Sequence, residues 1–279
     1  MIGRWAPRSG DWPQVLELLS GKVAAEWASD VSKVRRLAKQ IRTGDRFAPL
    51  PGSSLARDDG TVGRYKVSHA ALHNLNTGVT QLQTAQELMQ EDDQRLIAAA
   101  TLLRSSIEAL AIALWILDSE ERAERISRSL AWFQQNVLDE RVAFEDFVGK
   151  QQTGDTRGAE IRRVAKQNGI ELPKANARIQ SSDALRYADT ALDVPNHLLL
   201  YVWRLCSGVA HGRLWAFANL SSVSDAHQQN AGRLELEESN LLVPFRMAIV
   251  LLDAVVDAYG ERTEADPVLA VDATDMTVS

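Results

Sequence analysis

The chain has 279 residues, of which 45% are hydrophobic and 24% charged, with a formal net charge of -6 and a single cysteine, Cys206. That is the composition of a globular chain with enough apolar residues for a sizeable core. The charge gives the whole chain no bulk attraction for nucleic acid or anionic membrane, and one cysteine excludes an internal disulfide framework and favours a reducing compartment.

The N-terminal residues MIGRWAPRSGDWPQ have no continuous apolar core, so no signal peptide is expected. Asp11 with Gln14, and Pro13 between them, mark a helix start. Apolar residues then recur at Val15, Leu19, Val23, Trp27, Val31, Val34, Leu37 and Ile41, in the steps of three and four that predict an amphipathic helix. Its outer face turns basic near the end, with Lys33, Arg35, Arg36, Lys39 and Arg42. Pro49, Pro51, Gly52, Gly60 and Gly63 then predict a long loop.

Ser68 is placed to cap a second helix with a stripe of Leu72, Leu75, Val79, Leu82 and Met89. Asp92 and Asp93 close it or open the next. Residues 94–117 form the most apolar helix, with Leu103, Ile107, Leu110, Leu114 and Leu117 on one side and Ile112, Ala113 and Ile116 on the other. A helix apolar all round is buried, and the longest apolar run, Ile107 to Leu117 interrupted by Glu108, is short against the roughly 20 residues a bilayer requires. Asp118 with Glu121 reads as a capping box for a helix carrying Ile126, Leu130, Phe133, Val137, Phe144 and Phe147.

Lys150 to Arg186 is basic, with eight Lys/Arg against four Asp/Glu, and holds a short helix that ends at Asn168-Gly169. Pro195 opens the strongly apolar stretch Leu198 to Trp215, read as one helix. Residues 221–232 are polar, and Leu234 to Leu236 allow only a very short strand. A last helix begins at Ser239 or Asn240 and ends at Gly260, followed by an acidic tail without periodicity. The reading is all-α, an antiparallel helical bundle. Residues 1–44 form an N-terminal helix and 45–66 a linker loop. Residues 67–260 form the bundle, with a basic loop-rich insertion at about 149–190, and 261–279 a disordered acidic tail. No membrane span is expected, and the expected location is the cytoplasm.

One stretch carries sharp chemistry. Arg204, Ser207 and His211 lie at i, i+3 and i+7, on one face of an apolar helix. Histidine moves a proton near neutral pH, and arginine stays charged and clamps phosphate. Cleaving RNA without a metal requires a base for the 2′-hydroxyl and a cation for the developing charge, which this pair supplies. Gly208 and Gly212 leave room for a close neighbour. Arg104 and Glu108, an i, i+4 pair in the most apolar helix, are expected near the central helix as supporting groups or as a buried structural ion pair.

Arg204, six intervening residues and His211 resemble the R-x4-6-H signature of the HEPN superfamily. The setting late in an all-α bundle is similar too. The segments Arg104-Ser105-x-x-Glu108, Trp115 to Leu117 and Ser207-Gly208-x-x-His211-Gly212 also resemble uncharacterised bacterial all-helical proteins. The HEPN resemblance implies a homodimer whose two motifs meet at a cleft, and a metal-independent endoribonuclease of a defence, toxin or RNA-processing system. Arg204 and His211 would be catalytic, with Ser207 lining the cleft. Active members carry a polar residue directly after the arginine, where this chain has Leu205. The opposing reading is a non-catalytic helical interaction or scaffold protein in which the same residues only pack.

Other signals are weaker. His69 and His73 have the spacing of a two-histidine metal face, but the glutamate of a zincin is absent and no third ligand is evident, so neither a metal nor a cofactor is expected. The basic insertion and Arg122, Arg125 and Arg128 read as solvated charge or as a phosphate-binding surface. A ligand-binding reading expects an apolar pocket near Trp115, Trp203 and Trp215.

Overall fold

The computed structural model describes residues 12–43, 47–91, 95–148, 156–172, 179–220, 236 and 238–264. It is all-α. The helices are α1 (Trp12–Thr43), α2 (Ser54–Asp59), α3 (Val67–Met89), α4 (Leu96–Leu117), α5 (Arg122–Val148), α6 (Thr156–Gln167), α7 (Ser181–Ala191), α8 (Leu198–Ala210), α9 (Leu214–Leu220) and α10 (Glu238–Thr263). A 3-10 turn, Pro195–His197, leads into α8. Among the described residues there is no strand. The expected cap at Asp11, the Asp92-Asp93 pair, the polar 221–232 segment, the possible strand apart from Leu236, and the tail beyond Glu264 lie outside the described residues.

Helix α4 is the centre, in contact with α3, α5, α7, α8 and α10. Its expected stripe is buried, and so are Ala113 and Ile116 on its other side. The helix is longer than the apolar run Ile107 to Leu117, and by length and composition alone it could cross a membrane. Here it lies inside the bundle, packed by five other helices. Its closest neighbour is α3, where Ser106 donates to the carbonyl of Gly78 at 2.8 Å. A Cβ on Gly78 would sit 2.6 Å from the Leu110 Cγ, so glycine is what lets the two helices approach.

The last carbonyls of a helix have no partner inside it. At the end of α4 they are met from several helices. Arg128 donates to the Trp115 carbonyl, Arg262 to that of Leu117 (2.8 Å) and Tyr187 to that of Asp118. Arg125 reaches the Ser119 and Glu120 carbonyls just beyond, at 2.6 and 3.1 Å. Three arginines at the negative end of a helix dipole are well placed electrostatically. The start of α5 is served by Ser119, whose Oγ accepts from the Glu121 N–H (3.2 Å) and donates to Glu124 (2.9 Å). Asp118, the expected cap, accepts instead from Tyr187.

Residues 45–66 are more than a linker, because they include α2, with Leu55 and Asp58 fully buried. Asp58 takes a two-pronged contact from the buried Arg125, at 2.7 and 3.2 Å, and a 3.3 Å contact from Arg122. Burial nonetheless pushes the Asp58 carboxyl up, against the pull of both arginines. The next residue, Asp59, fixes the start of α3 by accepting from the backbone N–H of Ser68 at 3.1 Å and from its hydroxyl.

Helix α1 packs on α3 and α10. Trp27 meets Phe245 (centroids 4.5 Å apart), Asp30 meets Arg246 (2.7 Å) and Lys33 meets Asp253 (2.8 Å), so α1 and α10 run parallel. In the basic insertion, α6 ends at Gln167, one residue before the expected Asn168-Gly169, and Gly169 is in the left-handed region (φ 68°). Helix α7 packs on both α4 and α8 and so belongs to the bundle.

Candidate functional site

Helix α8 is pinned at its start. Asp193, Asn196 and His197 all have positive φ, so the chain turns sharply before the helix. The first free N–H groups, of Leu199 and Leu200, donate to the carboxylate of Asp189 on α7, at 2.9 and 3.3 Å. Asp189 is buried, and burial pushes its carboxyl up against the pull of those N–H groups and of His197, 3.7 Å away. A carboxylate at the positive end of the helix dipole is favourably placed.

The other end departs from the single helix expected from Leu198 to Trp215. Helix α8 stops at Ala210, with His211 as its C-cap. Gly212 takes φ 64°, and the N–H groups of Gly212 and Arg213 donate back to the carbonyls of Val209 (3.0 Å) and Gly208 (2.8 Å). This is a Schellman turn, and glycine supplies its left-handed residue without steric cost. The chain then reverses into α9. A Cβ on Gly208 would lie 2.4 Å from the Ala216 Cβ and 3.1 Å from the Trp215 ring, so Gly208 lets α9 fold against α8. Both glycines therefore serve the corner that presents His211.

Arg204 and His211 are exposed, and neither side chain has a hydrogen-bond or ion-pair partner among the described residues. Ser207 is half-buried. Leu205 and Cys206 face the core with no exposure. The position after Arg204 thus points inward here, and an apolar residue suits it. Burial pushes the Cys206 thiol up to about 12, with Arg104 pulling weakly the other way. It is a core residue with no nucleophilic character near neutral pH.

Arg104 and Glu108 do pair, at 3.4 Å, and do lie against α8. Their contact there is Trp203, not Arg204 or His211. The Trp203 Nε1–H donates to Glu108 at 3.2 Å, and the Arg104 guanidinium lies 5.5 Å from the Trp203 ring centre. Ser181 at the start of α7 also donates to Glu108. The Arg104 Nε is buried with no hydrogen-bond partner among the described residues. Glu108 therefore ties together α4, α7 and α8, and any help it gives the exposed pair is indirect, through the placement of α8. Trp203 and Ser181 were not expected here. Trp203 precedes Arg204 directly, but nothing in its spacing separates a carboxylate partner from an ordinary core aromatic. Ser181 required knowing that α7 folds back onto α4.

Leu214 (76% exposed) and Trp215 (48%) stand out beside His211 at the start of α9, so this corner combines an arginine, a histidine and open apolar surface. The other candidates separate clearly. His69 and His73 are exposed, and His73 packs 5.6 Å from Trp132. Among the described residues no group of three or more His, Cys, Asp or Glu is placed to hold a metal. Arg122, Arg125 and Arg128 form neither a solvated face nor an open phosphate site. Arg122 and Arg125 hold Asp58, and Arg128 is stacked 4.5 Å from the Tyr187 ring and 5.4 Å from that of Trp115. In the insertion, Arg157 pairs with Glu140 and Arg186 with Asp183, while Lys150, Lys174 and Arg178 lie outside the described residues. A cavity of about 490 Å³ lies between α1, residues 47–50 and the end of α10, away from the three tryptophans.

Compared with protein-family models, curated proteins and solved structures, the chain has no match.

Proposed function

We propose that this chain is a HEPN-like protein of the cytoplasm that cleaves RNA without a metal, as a homodimer, in a defence, toxin or RNA-processing role. The observation that carries the reading is the exposure of Arg204 and His211 on one corner, with no partner among the described residues. Arginines elsewhere in the bundle, such as Arg125, Arg128 and Arg262, are held by carboxylates or carbonyls. In the proposed reaction the neutral His211 imidazole takes the proton of a 2′-hydroxyl as that oxygen attacks the adjacent phosphorus. The P–O5′ bond breaks, a 2′,3′-cyclic phosphate forms, and the 5′-oxygen leaves with a proton supplied by the second copy's imidazolium. Arg204 stabilises the charge that gathers on the phosphoryl oxygens. Ser207 lines the cleft.

The experiment is cleavage of varied RNAs by the purified full chain in the presence of a chelator. The wild type is expected to cut, and His211→Ala to lower the rate by about 10²–10⁴-fold, as for loss of a general base. Equal cleavage by both proteins would remove His211 from the chemistry. The exposed Leu214 and Trp215 favour a second reading, a non-catalytic module that docks through this corner. It predicts no cleavage by the wild type and an assembly, measured by sedimentation, that Leu214→Asp disrupts and His211→Ala leaves intact.

A further inference from the structure

Helix α1 carries a one-signed surface that the proposed chemistry does not use. Residues 31–43 hold five cations and no acidic residue, in a chain whose net charge is -6. Lys33 is occupied by Asp253. Arg35, Arg36, Lys39 and Arg42 are all exposed and have no partner among the described residues. At 3.6 residues per turn these four fall within about a third of the helix circumference and span about 10 Å of its length. Like charges at i and i+4, as in Arg35 and Lys39, repel, and the helix persists because Val31, Val34, Leu37 and Ala38 are buried on its other side. The dipole at the end of α1 accounts for a cation in the last turn, but Arg35 and Arg36 lie two turns earlier.

We propose that Arg35, Arg36, Lys39 and Arg42 form a docking track for a single-stranded RNA backbone, separate from the Arg204/His211 corner. Unpaired cations in a row without interleaved aromatics suit phosphates rather than bases, so the track holds RNA without reading its sequence. An anionic membrane fits less well, because Val31, Val34, Leu37 and Ala38, on the opposite side of this stretch of α1, are buried in the bundle. Helix α1 also touches α9, the helix that follows His211. The identity of the polyanion rests on the RNA reading above; the surface itself does not.

The test measures binding of the full chain to a 20-nucleotide 2′-O-methyl RNA, which keeps the phosphates and removes the attacking hydroxyl. The variants are Arg35→Gln/Arg36→Gln/Lys39→Gln/Arg42→Gln and the charge-retaining Arg35→Lys/Arg36→Lys/Arg42→Lys. All four positions are exposed and both replacements form helices well, so circular dichroism should match the wild type. The glutamine variant is expected to bind at least 10-fold more weakly at 100 mM salt. Its slope of log K against log salt should be shallower by about 3, from roughly 0.7 per phosphate contact. The lysine variant is expected to bind like the wild type. Unchanged affinity and slope in the glutamine variant would overturn the track and leave the cleavage reading standing. No RNA binding by the wild type, or binding only to phosphatidylserine vesicles, would also overturn it. Stripe-dependent binding together with absent cleavage would uphold the track and sink the ribonuclease.

Discussion

Two sets of arginines divide this molecule. Arg125, Arg128 and Arg262 close the end of α4, each donating to a backbone carbonyl and to a carboxylate. Arg35, Arg36, Arg42 and Arg204 reach solvent, with no partner among the described residues. In sequence the sets look alike, since each follows helical spacing on an amphipathic segment. The difference is what the fold brings opposite them. The first set meets helix-end carbonyls and Asp58 and works as internal hardware. The second meets no such group among the described residues.

The contrast predicts a graded series, read as thermal or denaturant unfolding. Asp58→Ala should have the largest effect, because it leaves Arg125 buried without its carboxylate. A loss of about 3–5 kcal/mol is expected, and a loss under 1 kcal/mol would contradict the structural role. Arg262→Ala strips the Leu117 carbonyl of its donor and should cost about 1–3 kcal/mol. Arg128→Lys keeps the charge but loses the flat stack between Trp115 and Tyr187, so about 1 kcal/mol is expected. Arg204→Gln should stay within about 0.5 kcal/mol of the wild type in stability while lowering RNA cleavage. If Arg204→Gln proved as damaging as Arg262→Ala, the division between the two sets would collapse.

The sequence made the long elements plain. Five of the helices, α1, α3, α4, α5 and α10, follow from apolar residues recurring at three and four, and α4 stands out because it is apolar all round. Of the short elements, α6 was legible through its Asn168-Gly169 ending, but α2, α7 and α9 were not. Helix α2 sits in a stretch punctuated by Pro51, Gly52 and Gly60, which reads as a loop because six residues show too little periodicity. The break between α8 and α9 is carried by Gly212 alone, and a glycine inside an apolar run signals close packing as readily as a turn. The partners were hidden for a different reason. Arg125 and Asp58 are 67 positions apart, and no spacing rule connects them. The Arg204/His211 pair was visible because its members share one helix face. Its exposure was not, and neither was the engagement of Glu108 by Trp203.

Cys206 turns the core into its own clock. It is the chain's single cysteine, fully buried on α8, and its thiol is pushed up to about 12. Folded protein at pH 8 should therefore resist an alkylating reagent, and unfolded chains should react at the rate of an ordinary thiol. The labelling rate then measures how often α8 swings away from α4, in any variant, without an added probe. A point mutation that quickens labelling without lowering the melting temperature would locate a hinge at the corner that carries His211.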